Sequence, residues 1–213
     1  MQVKRKLFML MILLTVGIAA FASCGQDNKQ QKTKMNSKKT LVVFFSRTGE
    51  NYAVGNIKKG NTHVIADMIA QETDGDIFQI VPVKAYPDDY TKCTEVAKRE
   101  ADAKARPAVK DDVKVDGYDV IFVGYPNWWG DMPMPVYTFI EKHKWQGKTV
   151  IPFCTHEGSG LGSTASNLKS ACKGATVLKG LAVRGAVAQK EQDKAKKSVD
   201  AWLKTLGLTK KQQ

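Results

Sequence analysis

From residue 40 onwards the chain alternates short apolar runs with segments of helical periodicity, and this alternation strongly constrains the fold. Residues 41–45 contain only Leu, Val and Phe, as expected of a strand that is covered on both faces. Similar runs lie at 77–81, 120–124, 150–154 and 176–183, and helical segments lie at 64–69, 89–105, 135–143, 163–172 and 195–206. Strands that alternate with helices form a parallel sheet covered on both faces. The pattern therefore predicts an α/β fold with a five-stranded parallel sheet.

The N-terminal residues have a different composition from the rest of the chain. Three basic residues at 4–6 precede an apolar run at 7–22, and small residues at 22–23 precede Cys24. This order is typical of a secretory signal. A cysteine directly after two small residues also resembles the processing site of a bacterial lipoprotein. We therefore predict a signal peptide over residues 1–23, lipidation of Cys24 and a lipid-anchored location in the cell envelope.

An uncleaved membrane anchor is the alternative interpretation of this segment. The apolar run has 16 residues, whereas a transmembrane helix needs roughly 20. Both interpretations attach the chain to a membrane. Residues 24–39 are polar and basic, and they predict a flexible tether that leads into a single domain at 40–213.

Charge and residue types exclude several classes of function. The formal net charge of the chain is +12, of which residues 40–213 carry +5. No run of basic residues is interleaved with aromatic residues, so we expect no nucleic-acid partner. The three histidines lack the spacing of metal ligands, so we expect no metal site.

The cysteines of the domain do not suggest a disulfide framework. Three cysteines follow Cys24, and an odd number argues against designed pairing. We interpret Cys93 and Cys154 as small buried apolar residues. A catalytic pair of Cys154 and His156 is an alternative, because a loop begins close to these two positions.

Three loops of unusual composition follow predicted strands. In an open parallel sheet, ligands bind beyond the carboxyl ends of the strands.

The first loop contains Ser46, Arg47 and Thr48, and Asn61 and Thr62 open the helix that follows. Hydroxyl groups and backbone N–H groups at a helix N-terminus favour a phosphate. The loop has neither the P-loop lysine nor the GxGxxG pattern, which argues against an ATPase or a dinucleotide site. Ordinary helix capping is the alternative.

The second loop contains Pro126, Asn127, Trp128, Trp129 and Gly130. Two adjacent tryptophans at the end of a strand are costly to expose unless a flat ligand packs against them. An apolar plug that covers a helix end is an equally good interpretation of the pair.

The third loop is rich in glycine. Its candidate binding residues are Thr155, His156, Glu157, Gly158, Ser159 and Gly160. Glycines allow the backbone to approach a ligand closely and to offer N–H donors. The two titratable side chains, His156 and Glu157, point either to a ligand or simply to solvent.

The order of these loops after strands one, three and four resembles the flavodoxin and flavodoxin-like oxidoreductase family over residues 40 to about 206. Residues 46–49 resemble the family's phosphate loop. Residues 125–130 resemble the P-x-W-W-G loop that forms one side of the flavin site. Residues 153–163 resemble the third, glycine-rich loop. The resemblance implies a doubly wound flavodoxin-like fold that binds FMN, with the phosphate on the first loop and the ring between the other two.

One feature departs from the family pattern. Eleven residues, 49–59, separate the first loop from its helix. We therefore expect a split phosphate site, with Ser46 and Thr48 on one side and Asn61 and Thr62 on the other. The insert contains Tyr52 and could fold over the cofactor.

The resemblance implies an FMN-dependent oxidoreductase that reduces quinone-like or other small acceptors with a nicotinamide donor. An electron carrier without a small substrate is the second interpretation, and a scaffold that has lost its flavin is the third. Neither the catalytic residues nor the redox donor and acceptor can be assigned from the sequence. A homodimer is compatible with the resemblance.

Overall fold

The computed structural model describes residues 38–210. The predicted signal peptide, the lipidated Cys24 and the tether up to residue 37 lie outside these residues. None of the helices between residues 38 and 210 combines the length and the apolar character needed to cross a bilayer.

The described residues form a parallel sheet with helices on both faces, and a small separate hairpin. In chain order the strands are β1 (Thr40–Phe44), β2 (Gly49–Asn51), β3 (Gly55–Ile57), β4 (Asp76–Gln79), β5 (Val120–Pro126), β6 (Thr149–His156), β7 (Thr176–Val177) and β8 (Leu181–Arg184). The helices are α1 (Asn61–Thr73), α2 (Tyr90–Asp102), α3 (Met134–Glu141), α4 (Thr164–Ala171), α5 (Gly185–Lys190) and α6 (Gln192–Leu206), with a 3₁₀ turn at Val115–Gly117.

The strand order of the main sheet is β4-β1-β5-β6-β7, and β8 also pairs with β6. All of these pairs are parallel. The chain moves outwards from β1 in both directions, which confirms the predicted doubly wound, flavodoxin-like topology. The switch in direction lies between β1 and β5, where ligands bind in open sheets of this kind.

The fifth predicted strand is divided into β7 and β8, which occupy one edge position beside β6. The division lies opposite Pro152, which has no N–H to contribute to the strand ladder. Gly180 lies against this proline, where a Cβ would come within 2.7 Å of Pro152 Cγ. The fifth strand of the sequence pattern is therefore two short segments rather than one.

Alternate residues of the strands face two helical layers. Val42 and Phe44 of β1 belong to a core with Ile65 of α1 and Val199 of α6. Leu41, Val43 and Phe45 face the opposite core, which includes Phe139 of α3 and Leu168 of α4. This division leaves the carboxyl ends of β1, β5 and β6 at one edge of the sheet, where the three loops meet.

The insert after the first loop forms a hairpin that the sequence pattern does not predict. Strands β2 and β3 pair in antiparallel fashion from Gly49 to Ile57. The hairpin is joined to the segment before α2, because the Glu50 N–H donates to Asp88 O at 2.9 Å. A Glu50 carboxylate oxygen also accepts the Tyr90 N–H at 3.1 Å. The insert therefore lies beside α2 at the carboxyl edge.

Candidate functional site

The first loop and the start of α1 lie in direct contact despite the insert. Ser46 Oγ accepts the backbone N–H of His63 at 3.1 Å. A Cβ on Gly60 would lie only 2.2 Å from Ser46 Oγ, so the close approach requires a glycine. The N-cap residue of α1, Gly60, has no side chain to cap the helix, and Ser46 Oγ occupies the N–H of His63. A helix N-terminus beside a serine hydroxyl is a suitable anion site.

The helix start is also joined to the third loop. Thr62 Oγ1 lies 2.7 Å from Thr155 Oγ1, and both side chains are buried. Asn61 Oδ1 is buried without a hydrogen-bond partner among the described residues. A buried polar atom of this kind normally has a partner. The insert therefore leaves Asn61 and Thr62 beside Ser46, where the split phosphate site was predicted.

The side chains of Arg47 and Thr48 have different environments from that of Ser46. The Arg47 guanidinium donates to Pro87 O and to Asp88 O at 2.6 and 2.5 Å, and also to Glu50 O. It therefore fastens the hairpin to the segment before α2. Thr48 is exposed.

The second loop begins later than the sequence pattern indicates, because β5 continues through Pro126. Trp128 and Asp131 exchange two backbone hydrogen bonds, of 2.9 and 3.0 Å, around a two-residue turn. The residues between them, Trp129 and Gly130, have φ values of +55° and +83°. Positive φ at both positions is what a type I′ turn requires, and Asn or Gly usually fills the first position. Trp129 therefore occupies a position that disfavours a large side chain.

The two tryptophans have different environments. The Trp128 ring packs edge-on against Phe45 and Tyr86, with centroid distances of 5.3 and 5.0 Å. The Trp129 side chain is 59% exposed and is held by one hydrogen bond, from Nε1 to Thr94 O at 3.1 Å. The plug interpretation thus describes Trp128, whereas the Trp129 ring is largely exposed, with Lys98 Nζ 5.8 Å from its centroid.

A cavity of about 320 Å³ lies between the hairpin, α2 and the second loop. Its lining includes Arg47, Asn51, Tyr90, Thr94, Trp128 and Trp129. This volume is at the lower end of the range for small-molecule sites. The sequence interpretation missed Asn51, Tyr90 and Thr94, because no motif marks the insert or the helix α2.

The third loop is shorter than predicted, because Thr155 and His156 end strand β6. The N–H groups of Gly158 and Gly160 both donate to His156 Nδ1, at 2.9 and 3.0 Å. Glu157 Oε1 accepts the N–H of Ala186 at 2.7 Å, at the start of α5. Ser159 is exposed at the tip of the loop. Several groups predicted to contact a cofactor therefore contact the protein itself.

Asn127 joins the second and third loops. Its Nδ2 donates to Gly160 O at 3.1 Å, and its Oδ1 accepts the Gly130 N–H at 3.0 Å. Ser163 Oγ adds a bond to Gly130 O at 2.9 Å. The two loops consequently form one connected surface.

Cys154 and His156 do not form a catalytic pair. Burial raises the pKa of the Cys154 thiol to about 12, and the thiol donates to Thr155 O and Gly160 O rather than to the imidazole. Burial lowers the pKa of His156. Within residues 38–210, no group of three or more His, Cys, Asp or Glu side chains could hold a metal ion.

The sequence model of the family described as Flavodoxin matches residues 39–202. This chain belongs to the flavodoxin family. The match covers both helical layers and all three loops of the carboxyl edge. A comparison with curated proteins found no match.

Solved structures of other flavodoxin-like proteins resemble this chain. A protein from Bacteroides eggerthii, provisionally described as a flavoprotein, is 30% identical with a TM-score of 0.64, and the match covers 81% of this chain and 99% of that one. A similarly described protein from Bacteroides uniformis is 31% identical with a TM-score of 0.61, covering 78% and 97% of the two chains. These solved proteins correspond almost entirely to residues of this domain, which shows that such a domain folds on its own.

A more distant structure shows the same fold. The flavoprotein from Lactobacillus acidophilus, solved in complex with FMN, is 22% identical with a TM-score of 0.55. The match covers 74% of this chain and 98% of the other.

Proposed function

We propose that this member of the flavodoxin family binds FMN and is an oxidoreductase that passes electrons to small acceptors such as quinones. The observation that carries the proposal is Trp129, whose exposed ring lies beside the cavity at the carboxyl edge. A left-handed conformation costs a non-glycine residue about 1–2 kcal/mol. Such local strain is characteristic of functional sites. A flat ring such as that of a flavin would pack against the exposed indole.

The phosphate of FMN fits the first loop. Ser46 Oγ, the N-terminus of α1 and Asn61 would hold it. The carboxamide of Asn61 is able to present its amino group by a half turn about its last bond. Its unpartnered position at the helix start supports a role as a donor to an anion.

The bound flavin would supply the electron-transfer chemistry, and the protein would position it and exclude water. Trp129 would cover the ring, while Asn127 keeps the second and third loops together beneath it. The buried hydroxyl pair of Thr62 and Thr155 would fix the phosphate end relative to the ring end. These residues would bind and orient the flavin, and none of them needs to change its protonation state.

The charge of the domain favours a small acceptor over a carrier that serves only protein partners. The charge of +5 over residues 40–213 lacks the strong acidic field that steers carriers of this fold to basic partners.

Anaerobic reduction of the FMN-loaded domain by NADH or NADPH tests the proposal. We expect the flavin absorbance to bleach and to return when a benzoquinone is added. Failure of both nicotinamides to bleach the flavin would contradict the oxidoreductase assignment. Rapid exchange with a flavoprotein reductase under the same conditions would then identify an electron carrier.

A further inference from the structure

The imidazole of His156 organises the glycine-rich loop through two backbone hydrogen bonds. The Gly158 and Gly160 N–H groups approach Nδ1 at 2.9 and 3.0 Å. A neutral imidazole nitrogen has a single lone pair, so the two donors share one acceptor. Because Nδ1 accepts, the ring proton of the neutral form lies on Nε2.

The conformation of this loop depends on its glycines. Gly158 and Gly160 have φ values of +150° and +60°, which only glycine adopts readily. Asn127 Nδ2 donates to the carbonyl oxygen of Gly160, and the Gly160 N–H remains bonded to His156. The hydrogen bonds to His156 therefore occupy the N–H groups of Gly158 and Gly160.

We propose that His156 is a positioning residue that holds the glycine-rich loop closed when neutral and releases the Gly158 and Gly160 N–H groups when protonated. An imidazolium carries a proton on Nδ1 and has no lone pair to offer. At the observed distances its N–H would face two other N–H groups. Protonation therefore frees both backbone donors and places a positive charge beside them.

The surroundings of His156 set the pH range of the release. Burial lowers the pKa of His156 from its ordinary value of 6.5, Glu157 opposes this effect, and Arg184 on β8 adds to it. Arg184 pairs with His156 in the sheet register, and the Glu157 carboxylate is directed to Ala186 N. The loop is therefore held at neutral pH and released as the pH falls through this lowered pKa.

For a flavin, the release has a definite consequence, which rests on the function proposed above. The freed N–H groups become available to an acceptor edge or a developing negative charge on the ligand. We expect FMN affinity to rise about fivefold between pH 7.5 and pH 5.5, the worth of one net hydrogen bond.

Amide hydrogen exchange of the flavin-free domain, residues 38–213, tests the proposal by NMR. The wild-type Gly158 and Gly160 amides should lose protection about fivefold or more between pH 7.5 and 5.5, after correction for intrinsic exchange. His156→Asn places an oxygen close to the position of Nδ1 and does not titrate, so its amides should stay protected throughout. His156→Ala should leave them unprotected throughout. Equal protection of the wild type at both pH values, or a transition that persists in His156→Asn, would overturn the proposal.

FMN titrations of wild type and His156→Asn separate this proposal from the function. A wild type that binds FMN more tightly at pH 5.5, beside a variant without that change, supports both. Loss of amide protection in a domain that binds no FMN would keep the role of His156 and refute the flavin site. FMN binding by a domain whose Gly158 and Gly160 amides keep the same protection at both pH values would support the flavin site and refute the role of His156.

Discussion

Thr62 Oγ1 and Thr155 Oγ1 lie 2.7 Å apart in the buried contact between α1 and the end of β6. This bond joins the helix that begins at the predicted phosphate loop to the strand that leads into the glycine-rich loop. It therefore fixes the spacing between two parts of the site that are 93 residues apart in sequence.

The threonine pair predicts a non-additive effect on stability. Thr62→Val leaves the Thr155 hydroxyl buried without this partner, so we expect the free energy of unfolding to fall by about 1–3 kcal/mol. Thr155→Val should cost a similar amount, for the same reason. The double variant should be less destabilised than the sum of the two, as measured by urea denaturation. Simple additivity would show that the two hydroxyls do not interact.

The two tryptophans should differ in their contribution to the stability of the domain. Trp128 packs against Phe45 and Tyr86, so Trp128→Ala should lower the free energy of unfolding by about 2 kcal/mol or more. Trp129→Asn should leave it within about 1 kcal/mol, because asparagine tolerates the positive φ. Urea denaturation of both variants measures this difference, and equal losses would contradict the distinct environments.

Gly60 tests the close approach between the first loop and α1. A Cβ at this position would meet Ser46 Oγ at 2.2 Å and Arg47 O at 2.5 Å, so Gly60→Ala should displace the phosphate loop. We expect FMN affinity to fall at least about tenfold, or 1.4 kcal/mol. Gly117→Ala is the matched control, because nothing lies within 4 Å of its Cβ position. A Gly60→Ala variant that binds FMN as tightly as Gly117→Ala would be inconsistent with this site.

The cysteines should be inert in the folded domain. Burial raises the pKa of Cys154 and of Cys172 to about 12, and it raises the pKa of Cys93 as well. The thiolate is the reactive form. Iodoacetamide at pH 8 should therefore modify none of the three until urea unfolds the domain, as followed by mass spectrometry. Rapid native modification of Cys154 would revive the nucleophile interpretation.

The parallel sheet was predictable because its strands carry their own signals in the sequence. Residues 41–45 are apolar at every position, and the helices that follow repeat at helical spacing, so both layers of the core are marked locally. The hairpin from Gly49 to Ile57 was not predictable, because its support comes from the distant Asp88. The edge strand divides because of Pro152, whose effect depends on its neighbour in the sheet.

The candidate site was predictable in its residues more than in their roles. The three loops do meet at one edge, since parallel strands place their carboxyl ends together. The difference between Trp128 and Trp129 depends on rings contributed by Phe45 and Tyr86, far away in sequence. The hydrogen bonds of Arg47 and His156 likewise depend on backbone conformations that carry no motif.

Titration of the domain, residues 38–213, with FMN and with riboflavin tests the central claim most directly. Both ligands present the same ring, but only FMN carries the phosphate that Ser46, Asn61 and the start of α1 would hold. We expect FMN to bind at least about tenfold more tightly than riboflavin, with quenching of flavin fluorescence that Trp129→Asn reduces. Binding of neither ligand, or equal affinity for both, would contradict a flavin site with its phosphate on the first loop.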